Sequence, residues 1–183
     1  MKGKTFAIPS TQSSHYILLL EELQKAGLTL DDIQVTQLAP SEMPSSLASG
    51  AIDGYCVAEP FGAQAVTNGF GNVLARSDEL WEDSVCCGLI FRTDVIEQDP
   101  EAFQTFLEKY QEAGKKLDKE EATRIAENYL GQDAKTLETS LEWISYDDLK
   151  ITREAYDDLY EKVLSDHMIE NPPTYDDFVY TTD

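Results

Sequence analysis

The sequence predicts an α/β fold in which helices flank a mostly parallel sheet and a helical C-terminal region follows. In the N-terminal half, short apolar runs of strand length alternate with amphipathic runs of helical length. Glycine, proline or a group of serines separates one run from the next. In the C-terminal half, apolar residues recur at helical spacing. Alternating βαβ units of this length favour a parallel sheet covered by helices on both faces.

Turn and capping signals set the boundaries of the predicted elements. The hydroxyl-rich stretch 9–14 separates the first strand from the first helix, and Gly27 ends that helix, because glycine readily adopts the left-handed conformation that follows a helix. Pro40 opens the second helix and Gly50 closes it. The predicted strands are residues 4–8, 33–38, 52–57, 72–76 and 85–91, and the helices between them are residues 15–23, 43–49 and 61–67.

The C-terminal half is predicted to consist of amphipathic helices. They cover residues 101–114, 120–130, 133–143 and 153–166. Their apolar residues include Phe103, Phe106 and Tyr110 on one helix and Tyr156, Leu159 and Val163 on another. If no other part of the chain covers these faces, a second copy would, and a two-fold homodimer is the commonest such arrangement.

Three cysteines are too few for a disulfide framework. Cys86 and Cys87 lie in the apolar run 85–91, so we expect both to be small buried side chains on a strand, and Cys56 lies in the third strand. A zinc site would need a further Cys or His pair at short spacing, and the two histidines are isolated in the sequence. A catalytic Ser/His/Asp or Cys/His arrangement cannot be argued from them either. The residues therefore indicate no metal, no cofactor and no catalytic group.

The chain is strongly acidic, with a formal net charge of −21. This charge argues against binding to nucleic acid or to an anionic membrane surface, both of which require basic patches. The acidic residues form scattered pairs, which are typical of a solvated surface rather than of a calcium loop; they include Glu120–Glu121, Asp147–Asp148, Asp157–Asp158 and Asp176–Asp177. No apolar run approaches the roughly 20 residues that a membrane span requires.

Polar side chains follow the first and third predicted strands. Ser10, Thr11, Gln12 and Ser13 come after the first, and Glu59, held by a following proline, comes after the third. In open α/β sheets, small molecules bind beyond the carboxyl ends of the strands. The helix that starts after Ser13 adds free backbone N–H groups and the positive end of a helix dipole. We therefore expect a ligand site at this edge of the sheet.

Each of these features also has a purely structural interpretation. A Glu-Pro pair is common in turns, and serines cap helices without binding anything. Two strand ends that both present polar groups favour a binding site over a pair of unrelated turns.

Six short motifs follow one another in order along nearly ninety residues. They are residues 2–9 (KGKTFAIP), 27–28 (GL), 31–32 (DD), 47–54 (LASGAIDG), 59–61 (EPF) and 86–87 (CC), and a weaker motif, residues 99–101 (DPE), comes after them. In this order they resemble the nitrate/sulfonate/taurine-type (NMT1/THI5-like) substrate-binding proteins of ABC importers. The resemblance extends over essentially the whole chain.

The resemblance implies a type II periplasmic-binding-protein fold. Residues 1–95 would form the α/β second lobe, and residues 96–183 would form a helical region that returns toward lobe one. Family members have two lobes and close on their ligand by hinge motion. This chain is expected to begin where the second lobe does, without the opening strands of lobe one.

The resemblance also implies a function. It predicts a non-enzymatic solute-binding component, or a truncated remnant of one, that binds a small polar organic molecule in the cleft between lobes and works with an ABC permease. His15 would join Ser10, Thr11, Gln12, Ser13 and Glu59 in lining that cleft. The family is exported and often lipid-anchored, so an extracellular or membrane-anchored location is expected for the parent protein, although this chain carries no export signal.

Two other functions occur on similar folds. Thiamine-pyrimidine synthases are enzymes that bind iron through a cysteine-rich motif, which is missing here, and ligand-sensing domains of regulators accompany a helix-turn-helix, which is also missing. The charge of Glu59 and the lack of Arg or Lys in the predicted site segments favour a ligand that carries an amine or a ring nitrogen.

Overall fold

The computed structural model describes residues 1–131, 133–146 and 149–181. The acidic pair Asp147–Asp148 lies outside the described residues. Within them, no helix is both long enough and apolar enough to cross a membrane.

Three parallel strands form the sheet, in the order β2-β1-β3. They are β1 (Thr5–Ile8), β2 (Gln34–Gln37) and β3 (Gly54–Tyr55). Thr5 lies opposite Gln34 on one side of β1, and Phe6 lies opposite Gly54 on the other. The predicted α/β fold with a parallel sheet is confirmed, and the third strand is shorter than predicted because it pairs with β1 at two positions only.

Helices flank this sheet and form the C-terminal half. They are α1 (Ser14–Lys25), α2 (Met43–Ala48), α3 (Phe61–Thr67), α4 (Ser77–Leu80), α5 (Thr93–Gln98), α6 (Pro100–Lys116), α7 (Lys119–Leu130), α8 (Ala134–Ser140), α9 (Arg153–Ser165) and α10 (Tyr175–Phe178), with short 3-10 turns at Leu30–Asp32 and Pro40–Glu42. The seven predicted helices are all present, although α8 ends three residues earlier than predicted. The short helices α4, α5 and α10 were not predicted, because four to six residues show no helical period and no proline and glycine bound them as they bound α2.

The predicted strands 72–76 and 85–91 are wrong. Neither segment pairs with the three-stranded sheet, and both expose apolar side chains; Leu74 is 67% exposed and Ile90 is 88% exposed. The expectation that Cys86 and Cys87 are buried is wrong for the same reason, since both are exposed. An apolar run forms a buried strand only where a neighbouring strand is available to pair with it, and the three described strands pair with each other and not with this run. Phe91, at the end of the run, packs instead against Phe103 and Phe106 of α6.

The central strand is buried on both faces. Ala7 packs with Met43 and Ile52 on one face, whereas the next residue, Ile8, packs with Leu19, Leu23 and Ile33 on the other. This arrangement is expected for a parallel strand between two helical layers, because successive side chains of a strand point to opposite faces. The carboxyl end of β1 is therefore held rigidly where the Ser10–Ser13 turn begins.

A further core cluster joins the C-terminal region to the first helix. Val163 of α9 packs with Ile17 and Leu18 of α1 and with Trp81. Glu21 of α1 and Lys162 of α9 form an ion pair across the same contact. Val163, on the apolar face of α9, is thus buried by residues of the same chain.

Candidate functional site

The turn after β1 is organised by its own hydroxyl groups. Ser10 Oγ accepts a hydrogen bond from the backbone N–H of Gln12 at 3.1 Å, and the Ser13 hydroxyl donates to the carbonyl of Ser10 at 2.7 Å. The N–H of Thr11 donates to Oε1 of Gln37, at the end of β2, at 3.4 Å. These contacts fix the backbone of the turn and leave the side chains of Thr11 and Gln12 exposed.

Ser13 is the N-cap of α1, but its side chain does not cap the helix. The first N–H groups of a helix have no partner within the helix. The N–H of Tyr16 donates to the carbonyl of Ser13 at 3.0 Å. Because the Ser13 hydroxyl is directed to Ser10 instead of capping the helix, the N–H groups of Ser14 and His15 keep their capacity to donate to an incoming oxygen.

His15, in the first turn of α1, has an unsatisfied polar atom. Its Nδ1 is buried and has no hydrogen-bond partner among the described residues. Burial lowers the pKa of this imidazole from 6.5, because desolvation disfavours the charged form. Buried side-chain nitrogens are usually hydrogen-bonded, so an unpaired one indicates a place for water or for a ligand atom.

Glu59 lies between two helices that both contact its carboxylate. Its Oε2 accepts a hydrogen bond from the backbone N–H of Ala63 in α3 at 3.1 Å, and the Ser140 hydroxyl of α8 also hydrogen-bonds to it. Burial raises the pKa of the carboxyl, and the two hydrogen bonds oppose that shift. A side chain at position 62 would clash, because a Cβ at Gly62 would lie 2.5 Å from Glu59 Oε1.

The structure sets both candidate segments at the carboxyl end of the sheet. β1 and β3 are parallel neighbours, so residues 9–13 and residues 56–59 leave the sheet in the same direction. The two segments are not joined by a direct bond: among the described residues, the hydrogen bonds of Glu59 go to α3 and α8 and not to residues 10–15. Glu59 therefore has a capping role in α3 in addition to any role toward a ligand.

The contacts of two residues near these segments could not be anticipated from the sequence. Ser140 reaches Glu59 because α8 packs on α3, where the hydroxyls of Thr67 and Thr136 are 3.1 Å apart. Ser14 lies close enough to Cys86 to lower the pKa of its thiol, although 72 positions separate them in the printed sequence. Long-range contacts of this kind leave no local pattern.

The described residues offer no group of three or more His, Cys, Asp or Glu side chains arranged to hold a metal ion. The strand ends present hydroxyl, amide, imidazole and carboxylate groups, which suit hydrogen bonding and charge recognition.

Comparisons with known proteins extend this description. The chain is 32% identical over 121 residues to the nitrate/nitrite binding protein NrtA of a Nostoc species, a match that covers 66% of this chain and 28% of NrtA. The ligand-binding component of an ABC-type import system from Staphylococcus aureus, solved with zinc bound, superposes with a TM-score of 0.92 at 34% identity, over 98% of this chain and 62% of that one.

A more distant structure shows the same fold. The periplasmic aliphatic sulphonate binding protein SsuA from Escherichia coli superposes with a TM-score of 0.78 at 19% identity, over 100% of this chain and 60% of that one. The chain thus spans well under half of the curated relative and about three fifths of the two solved proteins. These neighbours confirm the expected resemblance to substrate-binding proteins of ABC importers and the type II periplasmic-binding-protein fold.

The match to a family model covers most of the sheet region and the first C-terminal helices. It runs over residues 1–131, which include the three strands, the Ser10–Ser13 turn, His15 and Glu59. The chain belongs to the NMT1-like family.

Proposed function

We propose that the chain is part of the solute-binding component of an ABC importer and that it contributes the Ser10–Ser13 turn, His15 and Glu59 to the binding of a small polar organic molecule. The observation that carries this proposal is the buried, unpaired Nδ1 of His15 at the start of α1. The names of three relatives support it, since they are those of ligand-binding proteins: NrtA, the Staphylococcus aureus import component and SsuA. On this proposal the chain binds its ligand without changing it chemically.

The ligand class follows from the groups at the strand ends. Backbone N–H groups at the start of α1 and the exposed side chains of Thr11 and Gln12 suit the oxygen atoms of a carboxylate, sulfonate or carbonyl group. The carboxylate of Glu59 suits an amine or a ring nitrogen. A molecule with both features, such as an amino sulfonate, fits better than a bare anion, because the candidate segments contain no Arg or Lys.

The proposal extends to partners, location and organisation. The component would deliver its ligand to an ABC permease outside the cytoplasmic membrane, and ATP-binding proteins of nitrate and bicarbonate transport are among the relatives. Residues 1–95 would form the lobe that carries the site, and residues 96–183 the helical region. A homodimer would cover the apolar side chains that residues 89–91 and α6 expose.

Isothermal titration of the purified chain with taurine, ethanesulfonate and sodium nitrate tests the ligand class. Taurine and ethanesulfonate differ by one amine, so we expect taurine to bind more tightly and Glu59→Gln to remove the difference. Because the chain spans only part of the related binding proteins, we expect weak affinity, roughly millimolar.

Matched histidine variants test the site. His15→Gln should weaken taurine binding about tenfold, the loss of about one hydrogen bond. His167→Asn should leave it unchanged, because His167 is exposed and asparagine tolerates its left-handed backbone. Equal affinities of the two variants would contradict a role for His15, and native mass spectrometry of the chain purified without added ligand would show any molecule of another class that occupies the site instead.

A further inference from the structure

Cys86 and Cys87 are a pair of adjacent thiols to which the proposed function gives no role. Both side chains are exposed, and the Cys87 thiol donates a hydrogen bond to Cys86 Sγ at 3.5 Å. They lie in residues 85–91, which form neither a helix nor a strand. The two sulfur atoms therefore face each other on a segment whose backbone is not held in a hydrogen-bonded ladder.

The third cysteine differs from this pair in its surroundings. Cys56 packs against two of the core clusters, and burial raises the pKa of its thiol to about 12. The thiolate is the reactive form of cysteine, and a thiol with a raised pKa stays protonated at neutral pH. Cys56 should therefore react slowly with oxidants. Partial desolvation and the neighbouring Cys87 raise the pKa of the Cys86 thiol, which slows its reaction, but the exposed side chain stays accessible to a small oxidant.

We infer that Cys86 and Cys87 are a modification site, a vicinal dithiol that closes reversibly to a disulfide when a low-molecular-weight disulfide is the oxidant. One cysteine thiolate attacks the small disulfide, whose S–S bond breaks and releases one thiol. The second cysteine then attacks the mixed disulfide, the Cys86–Cys87 bond forms, and a second thiol leaves. The two protons of the cysteine thiols end on the two small thiols, so the protein pair is oxidised by two electrons and the small disulfide is reduced.

The bond is expected to be labile. Adjacent Cα atoms are about 3.8 Å apart, whereas the Cα atoms of ordinary disulfides are about 4.4–6.8 Å apart. A disulfide between neighbours is therefore strained, and strained or exposed disulfides are the ones that are readily reduced again. This chemistry suits a reversible modification rather than a structural staple.

Oxidation of Cys86 and Cys87 would change the environment of the first residue of α1. The hydroxyl of Ser14, the first residue of that helix, lies close enough to Cys86 to lower the pKa of its thiol. Closing the disulfide turns Cys86 Sγ toward Cys87 and removes its proton. Oxidation of the dithiol would thus change the surroundings of Ser14, which lies between Ser13 and His15 in the proposed site.

Peptide mapping of the full chain tests the inference. Trypsin cleaves after Lys25, Arg76 and Arg92, so Cys56 falls on residues 26–76 and both Cys86 and Cys87 fall on residues 77–92. The protein is incubated with excess glutathione disulfide, denatured, alkylated with iodoacetamide, digested and analysed by mass spectrometry. We expect peptide 77–92 to carry no alkyl group and to be two hydrogens lighter than its reduced form, whereas peptide 26–76 is alkylated. Dithiothreitol added before alkylation should restore the two thiols of peptide 77–92.

Single variants separate the pair from the alternatives. Cys56→Ser should keep the loss of two thiols, whereas Cys86→Ser and Cys87→Ser should each retain one captured glutathione, because the resolving thiol is missing. The inference is overturned if peptide 77–92 of the unsubstituted chain stays alkylated or carries glutathione, if it is linked to peptide 26–76, or if a non-reducing gel shows a disulfide between two copies.

Discussion

The indole Nε1 of Trp81 donates a hydrogen bond to the carboxylate of Asp158, 77 positions further along the chain. The Lys162 ammonium lies 5.3 Å from the ring of the same tryptophan and pairs with Glu21. The Trp81–Asp158 hydrogen bond and the Lys162–Glu21 ion pair therefore lie beside the apolar cluster in which Val163 packs against α1. The attachment of α9 to the N-terminal region depends on them.

Removing the acceptor of the buried indole should destabilise this attachment. We expect Asp158→Ala to lower the free energy of unfolding by about 1–3 kcal/mol, because the Trp81 N–H would stay buried without a partner. Asp157→Ala, at the exposed neighbouring position, is the matched control and should change little. Urea unfolding followed by tryptophan fluorescence measures both; equal midpoints would show that water replaces the acceptor without cost.

The stability of the chain should depend on pH through His15. Its pKa is lowered by burial, so the unfolded chain takes up the proton at a higher pH than the folded chain does. The contribution of His15 to stability is therefore complete above pH 6.5 and is lost as the pH falls from 6.5 through the folded-state pKa. We expect the stability of the unsubstituted chain relative to His15→Gln to fall as the pH is lowered through this window, which urea unfolding at several pH values measures.

Gly114 should not tolerate a larger residue even though it lies inside a helix. A Cβ at this position would lie 2.4 Å from the carbonyl oxygen of Tyr146 and 2.5 Å from Cδ1 of Leu149. Glycine to alanine within a helix normally stabilises by about 1 kcal/mol. Here we expect Gly114→Ala to lower the unfolding temperature instead, since overpacking costs about 1–3 kcal/mol. A rise in unfolding temperature would show that α6 moves away from Tyr146 and Leu149 freely.

Self-association should involve the exposed apolar run that follows the two cysteines. We expect light scattering to detect a concentration-dependent dimer of the unsubstituted chain. Ile90→Glu should shift this equilibrium toward the monomer. The variant should not lose stability, because Ile90 is almost fully exposed. Tyr129→Glu, at another exposed position on α7, is the control and should leave the dimer intact. A chain that stays monomeric at every concentration tested would contradict the homodimer.

The sequence predicted correctly those strands and helices whose boundaries are marked by neighbouring residues. The strand over residues 4–8 and the helix after it were found because an apolar run, a serine-rich turn and a helical period follow one another directly. The run 85–91 has the same composition as a buried strand, but composition does not reveal whether a neighbouring strand is present to pair with it. The partner of Glu59 was missed because Ser140 reaches it through the packing of α8 on α3, which no short-range pattern encodes.

The order of strands in the sheet has a consequence for how the chain folds. β1 is made first but lies in the centre, and its two partners begin 29 and 49 positions later, at Gln34 and Gly54. During synthesis, β1 cannot form hydrogen bonds with both β2 and β3 until residue 55 has left the ribosome. Sheet formation therefore requires loop closure over long stretches of chain, which slows folding relative to a hairpin. The α/β region should become resistant to proteases in a single late step rather than strand by strand.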